Sequence, residues 1–105
     1  MHIIETPVFT AQIRDFLSDE EYRALQLALV MRPEQGALIH GGGGLRKLRW
    51  GFRGRGKRGG IRVIYYWSPA RDTTYMLLAF AKVRQSELTP EQLKILRKMV
   101  REELK

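Results

Sequence analysis

The stretch that most limits the folds open to this chain is Ile61 to Trp67, IRVIYYW. Apart from Arg62 it is β-branched or aromatic throughout, a composition suited to a packed, pleated surface. It is apolar on both faces, so it predicts a central strand. An arginine inside such a strand stands out, because burying a cation is costly unless it is paired. Arg62 is therefore expected on an open face of the sheet, near its rim, turned to a ligand. The alternative is an arginine at a strand start that snorkels to solvent.

The flanking segments extend this strand into a meander. Leu45 to Trp50 alternates, with Leu48 and Trp50 to one side and Arg46 at the near edge, and Lys47 and Arg49 to the other. A strand apolar on one side and cationic on the other predicts a sheet with one covered and one working face. Ser68 to Asp72 reads as a turn, Thr73 to Ala81 as the next strand, and Lys82 and Arg84 follow where that strand leaves the sheet. His2 to Glu5 is a weak strand signal. Three helix starts carry capping codes: Thr6-Pro7, Ser18 with Glu21, and Thr89-Pro90 with Gln92. They predict helices to about Leu17, to about Met31, and to near the C-terminus. Phe9, Ile13 and Phe16, then Tyr22, Leu25 and Leu29, then Leu93, Leu96 and Val100 supply the apolar stripes. The expected fold is α+β, a single domain over residues 1–105, with helices on one face of an antiparallel sheet and the other face open and basic.

Charge is the second constraint. The chain has a net charge of +8, and Gly41 to Arg62 holds eight basic residues and no acid. Residues 1–40 and 63–105 carry −3 and +3 and cancel. Charge so concentrated points to a phosphate-rich partner; the bland alternative is a solvated loop that aids solubility. Four glycines, Gly41 to Gly44, exclude helix or strand there. They lack the lysine-serine or lysine-threonine ending of a nucleotide-binding loop, so a flexible loop that lets the backbone pass near a neighbour or a ligand is favoured over a phosphate cradle. Gly51 to Gly60, with FRGRGKRG at its core, reads as a glycine-basic hairpin connection able to close over a bound strand of nucleic acid. There is no cysteine, and His2 and His40 lack zinc spacing, so neither a metal nor another cofactor is expected. No signal peptide and no apolar run of about 20 residues is present, which predicts a cytoplasmic protein without a membrane span.

Cleaving RNA through its own 2′-hydroxyl needs a base for the hydroxyl proton, cations for the phosphorane and an acid for the leaving oxygen. The basic segment contains no His, Asp or Glu. Lysine serves as a base only where neighbouring cations or burial depress its pKa; Lys47, Lys57 and Lys82 are the candidates. Arginine stays protonated and clamps phosphate bidentately, a role for Arg49 and Arg62. Arg46, Arg55, Lys57, Arg58 and Arg84 are candidate RNA contacts. Trp50, Tyr65, Tyr66 and Tyr75 can stack a base, although the core is their more ordinary place.

GGLRKLR, GKRGGIRVIYYW and AKVRQSELTPEQLKIL, together with SDEEYRALQ, resemble the RelE/ParE superfamily of type II toxins, above all its HigB-type branch, over nearly the whole chain. The resemblance implies a microbial RNase-like fold. It also implies a ribosome-dependent endoribonuclease that cuts mRNA in the A site without metal, leaving a 2′,3′-cyclic phosphate. The family's basic residues on its second sheet strand match Lys47 and Arg49. Its arginine opening the next strand matches Arg62, and its basic position after the last strand matches Lys82, with Arg84 as alternative. Some members carry a tyrosine just before the last helix, where this chain has Thr89. Implied partners are the ribosome with its mRNA and an antitoxin, often a HigA-like helix-turn-helix protein through which operator DNA is met indirectly. ParE-type relatives imply a second reading, a non-catalytic toxin of DNA gyrase. A plain RNA- or DNA-binding module is the third.

Overall fold

A computed structural model describes residues 1–51 and 60–105. The elements are β1 (His2–Glu5), α1 (Pro7–Phe16), α2 (Asp19–Met31), β2 (Ala37–Leu38), β3 (Leu45–Trp50), β4 (Ile61–Ser68), β5 (Thr73–Ala81) and α3 (Pro90–Met99). A wider helical turn, Val100–Leu104, continues α3. The strands form one sheet in the order β1-β5-β4-β3-β2. β3, β4 and β5 are the antiparallel meander, β2 pairs antiparallel with β3, and β1 runs parallel to β5. β4 is the central strand, as its two apolar faces require. Among the described residues no helix is long and apolar enough to cross a membrane.

The three capping codes act as written. Thr6 Oγ1 accepts from the Phe9 amide and donates to the Leu77 carbonyl at 2.9 Å, which ties the start of α1 to β5. Ser18 with Glu21 and Thr89 with Gln92 each form a reciprocal capping box. Glu5 secures both N-terminal helices to β1, accepting from Thr10 and from the Tyr22 hydroxyl at 2.6 Å. Burial, and then the Glu5 carboxylate, push the Tyr22 hydroxyl pKa up.

Two cores sandwich the sheet. Phe9, Ile13, Leu25 and Leu29 of α1 and α2 pack on Leu48, Ile61, Val63, Tyr65 and Met76. On the other face Leu96, Val100 and Leu104 pack on Leu45, Ile64, Tyr75, Leu77 and Phe80. This corrects the expectation of helices on one face and a wholly free second face: α3 covers part of the second face. A bulge in β5 adds a residue to the α3 core. Ile64 pairs with Leu78 but Tyr65 with Met76, so Leu77 is an extra residue, and both Leu77 and Leu78 belong to the α3 side.

Candidate nucleic-acid interface

The pleat of β3 separates its charges. Leu45, Lys47 and Arg49 lie on the α3 side, and Leu48 and Trp50 join the α1–α2 core. Arg49 pairs with Arg62 of β4 and Lys47 with Ile64, so Arg49 and Arg62 are direct cross-strand neighbours on one face. Such neighbours have Cβ atoms about 4.5–5.5 Å apart. Lys47 lies two residues along from Arg49 on the same face. Lys82 follows the end of β5, its amide donating to the Gly60 carbonyl at 3.1 Å, two residues beyond Phe80, the strand partner of Arg62. Lys82 and Arg84 are exposed. Lys47, Arg49 and Arg62 thus share a face, and Lys82 sits at the end of the strand that flanks it.

Arg62 differs from expectation in depth. It is 3% exposed, not an open rim residue. Nη1 donates to the Ile61 carbonyl at 3.2 Å. Desolvation, and then the cation of Arg49, push its pKa down from the ordinary arginine value. The guanidinium still carries charge near neutrality, because arginine remains protonated. Arg49 in front is exposed and is the first cation a phosphate meets; direct contact with Arg62 requires its surroundings to rearrange.

Arg46 belongs elsewhere. Its Nη1 donates to the Glu34 and Gly36 carbonyls at 2.9 and 2.8 Å, and Nη2 lies 3.8 Å from the Glu34 carboxylate. It clamps the α2–β2 turn on the opposite side of β3 from Lys47, so it is not brought to the cationic face. Arg46→Met should lower stability by about 1–3 kcal/mol in urea unfolding, the loss expected for charge-assisted bonds to carbonyls, with RNA affinity unchanged. A large fall in RNA affinity at unchanged stability would return Arg46 to the interface. Arg55, Lys57 and Arg58 lie outside the described residues, as does the proposed closing of their loop over a bound strand.

The aromatic candidates are spent on structure. Tyr65 is fully buried; its hydroxyl donates to the Pro33 carbonyl and accepts from the Gly36 amide. Tyr66 and Tyr75 stack on each other with centroids 6.4 Å apart, and Trp50 packs against the α1–α2 core. Thr89, at the position where some relatives carry a tyrosine, is the N-cap of α3. The glycine run closes the β2–β3 turn, with Gly42 donating to the Ile39 carbonyl and Ile39 to that of Leu45. Gly44 has φ +111°, and a Cβ there would stand 2.8 Å from Tyr66 Cε1, so the backbone does pass tightly over a neighbour.

Two residues that the sequence left unassigned join the cationic side chains. His40 and Glu87 line, with Lys47 and Arg49, a cleft of about 390 Å³ whose other wall is Leu88 and Leu93. Linear spacing gave no signal for this, since Glu87 is 40 residues from Lys47; the β2–β3 hairpin and the segment before α3 bring them together. A second cleft of about 210 Å³ lies where Val8, Leu77, Ile95 and Met99 meet. It offers a phosphate nothing, because its two polar residues, Thr6 and Gln92, serve as capping groups.

The cationic face thus combines paired arginines, a flanking lysine and a bulged β5, with α3 over part of the same side. The family described as the RelE toxin of the RelE/RelB toxin–antitoxin system matches residues 1–105. A toxin of this kind has an antitoxin as its partner. The chain therefore belongs to the RelE toxin family and is a toxin of a type II toxin–antitoxin system.

Proposed function

We propose that this toxin is a ribosome-dependent endoribonuclease of the HigB type that halts translation in the cytoplasm by cutting mRNA. The observation that carries the reading is the cross-strand pair Arg49–Arg62 with Lys47 on the same face and Lys82 at the end of the next strand. The ribose 2′-oxygen attacks the adjacent phosphorus, the bond from phosphorus to the 5′-oxygen breaks, and a 2′,3′-cyclic phosphate and a 5′-hydroxyl result. Lys47 or Lys82 takes the 2′ proton, and a protonated neighbour supplies one to the leaving oxygen. Arg49 holds the phosphate, and Arg62 adds positive potential from behind. Lys57 and Arg58, with Arg55 and Arg84, are the proposed contacts to the rest of the strand. No metal or cofactor enters this scheme. A site whose proton acceptor is a lysine is slow unless its substrate is oriented for it, which fits a requirement for the ribosome. A helix-turn-helix antitoxin of the HigA type is the proposed inhibitor.

The test is a translation extract charged with purified toxin, with message ends mapped by primer extension. Cuts at codon positions ending in cyclic phosphate support the reading. Lys47→Ala and Lys82→Ala should each slow cleavage by about 10²–10⁴-fold, the usual worth of a proton-transfer group, while ribosome association survives. Intact message alongside impaired plasmid supercoiling by gyrase would transfer the protein to the ParE-type reading. Equal weakening of binding by every basic substitution, with no cutting at any concentration, would leave a plain binding module.

A further inference from the structure

We infer that the cleft between the β2–β3 hairpin and the segment before α3 is a nucleobase pocket, selective for a base bearing an exocyclic amine over uracil; this rests on the RNA-cleaving reading. Its chemistry is not that of a phosphate site. One wall, Leu88 and Leu93, is apolar and partly buried, suited to the face of a flat ring. Glu87 lines the same cleft as Lys47 and Arg49. A carboxylate repels phosphate but accepts hydrogen bonds from an uncharged donor such as a base amine. Glu87 is the only acid between Asp72 and Glu91, so this is one local carboxylate and not a general acidic surface.

The register fixes what sits next to what. Arg62 is on β4, Arg49 on β3, and the cleft opens on toward β2. Adjacent strands lie about 4.8 Å apart, so a phosphate on Arg49 places its own nucleotide's base within reach of the cleft. The volume, about 390 Å³, falls in the range of roughly 300–1,000 Å³ common for small-molecule sites. Single-stranded RNA is read in this manner, its bases splayed out, stacked and bonded along their edges. Cytosine, adenine and guanine each present an amine to the Glu87 carboxylate and an acceptor to Lys47 or to His40. Uracil turns carbonyl oxygens to both sides of its single N–H and meets the carboxylate poorly.

The experiment titrates the full chain, isotopically labelled at leucine methyls and arginine side chains, with cytidine 5′-monophosphate, uridine 5′-monophosphate and inorganic phosphate. The cytidine compound should shift the Leu88 and Leu93 methyl signals and bind about tenfold more tightly than the uridine compound. Inorganic phosphate should shift Arg49 and leave those methyls in place. Glu87→Gln, an exposed substitution, should narrow the preference to less than about threefold and keep phosphate binding. Equal affinities, or unmoved Leu88 and Leu93 methyls, overturn the pocket. If message survives in the translation extract while the cytidine preference stands, cleavage fails and the pocket holds. If message is cut while both nucleotides bind alike, the pocket fails and cleavage holds.

Discussion

Arg62→Met should slow mRNA cleavage on ribosomes by about 10²–10³-fold, the loss typical when one preorganised electrostatic group is removed. The thermal unfolding midpoint should move by only a few degrees. Both halves follow from one environment. Arg62 is 3% exposed, and desolvation and Arg49 both disfavour its charged form. Burial and the like charge of Arg49 both oppose this cation, so its removal offsets part of what the lost bond to the Ile61 carbonyl costs. Methionine fills similar volume and brings no charge. Single-turnover cleavage and thermal denaturation followed by circular dichroism measure the two halves. Full activity in the folded variant would remove Arg62 from the chemistry. A steep drop in midpoint would make it a structural residue.

Phe9→Ala should destabilise the fold by roughly 3–5 kcal/mol, the cost of deleting a fully enclosed aromatic ring. Phe9 is fully buried, its ring centroid is 6.0 Å from that of Tyr22, and its amide is the one capped by Thr6. At about 4 °C or more per kcal/mol for a domain of this size, the midpoint should fall by more than about 10 °C. Val8, its neighbour in sequence, is 56% exposed. Val8→Ala should stay within about 0.5 kcal/mol. Urea unfolding with an unchanged slope compares the two variants. Similar losses for both would mean that the α1 core is not as tightly closed as the packing indicates.

Local codes were the legible part of this chain. Thr6, Ser18 and Thr89 fixed the helix starts because a cap is satisfied within three residues of itself. IRVIYYW identified the central strand because its composition is a property of the segment alone. That same segment already spoke against a free second face, since a strand apolar on both sides needs cover on both. The stripe Leu93, Leu96 and Val100 was the cover, but nothing in linear order says on which face a last helix lands. Arg62 was placed on the correct face and at the wrong depth, because depth depends on what neighbouring strands and loops set over it. Arg46 misled through its company. It sits between glycines and cations in sequence, yet the pleat turns it to the opposite side, toward carbonyls of the α2–β2 turn. Glu87 escaped notice, and His40 offered nothing beyond its lack of metal spacing, because their meeting with Lys47 is a product of chain reversal.

The parallel pairing of His2–Glu5 with Thr73–Met76 joins the first strand to one about seventy positions later. The enclosure of Phe9 and the tie from Thr6 to the Leu77 carbonyl depend on that late partner. During synthesis the α1–α2 hairpin would emerge with its apolar side uncovered and wait for β5 before it could settle. The cationic row needs the same late strands, so its face is assembled only when nearly the whole chain has been made.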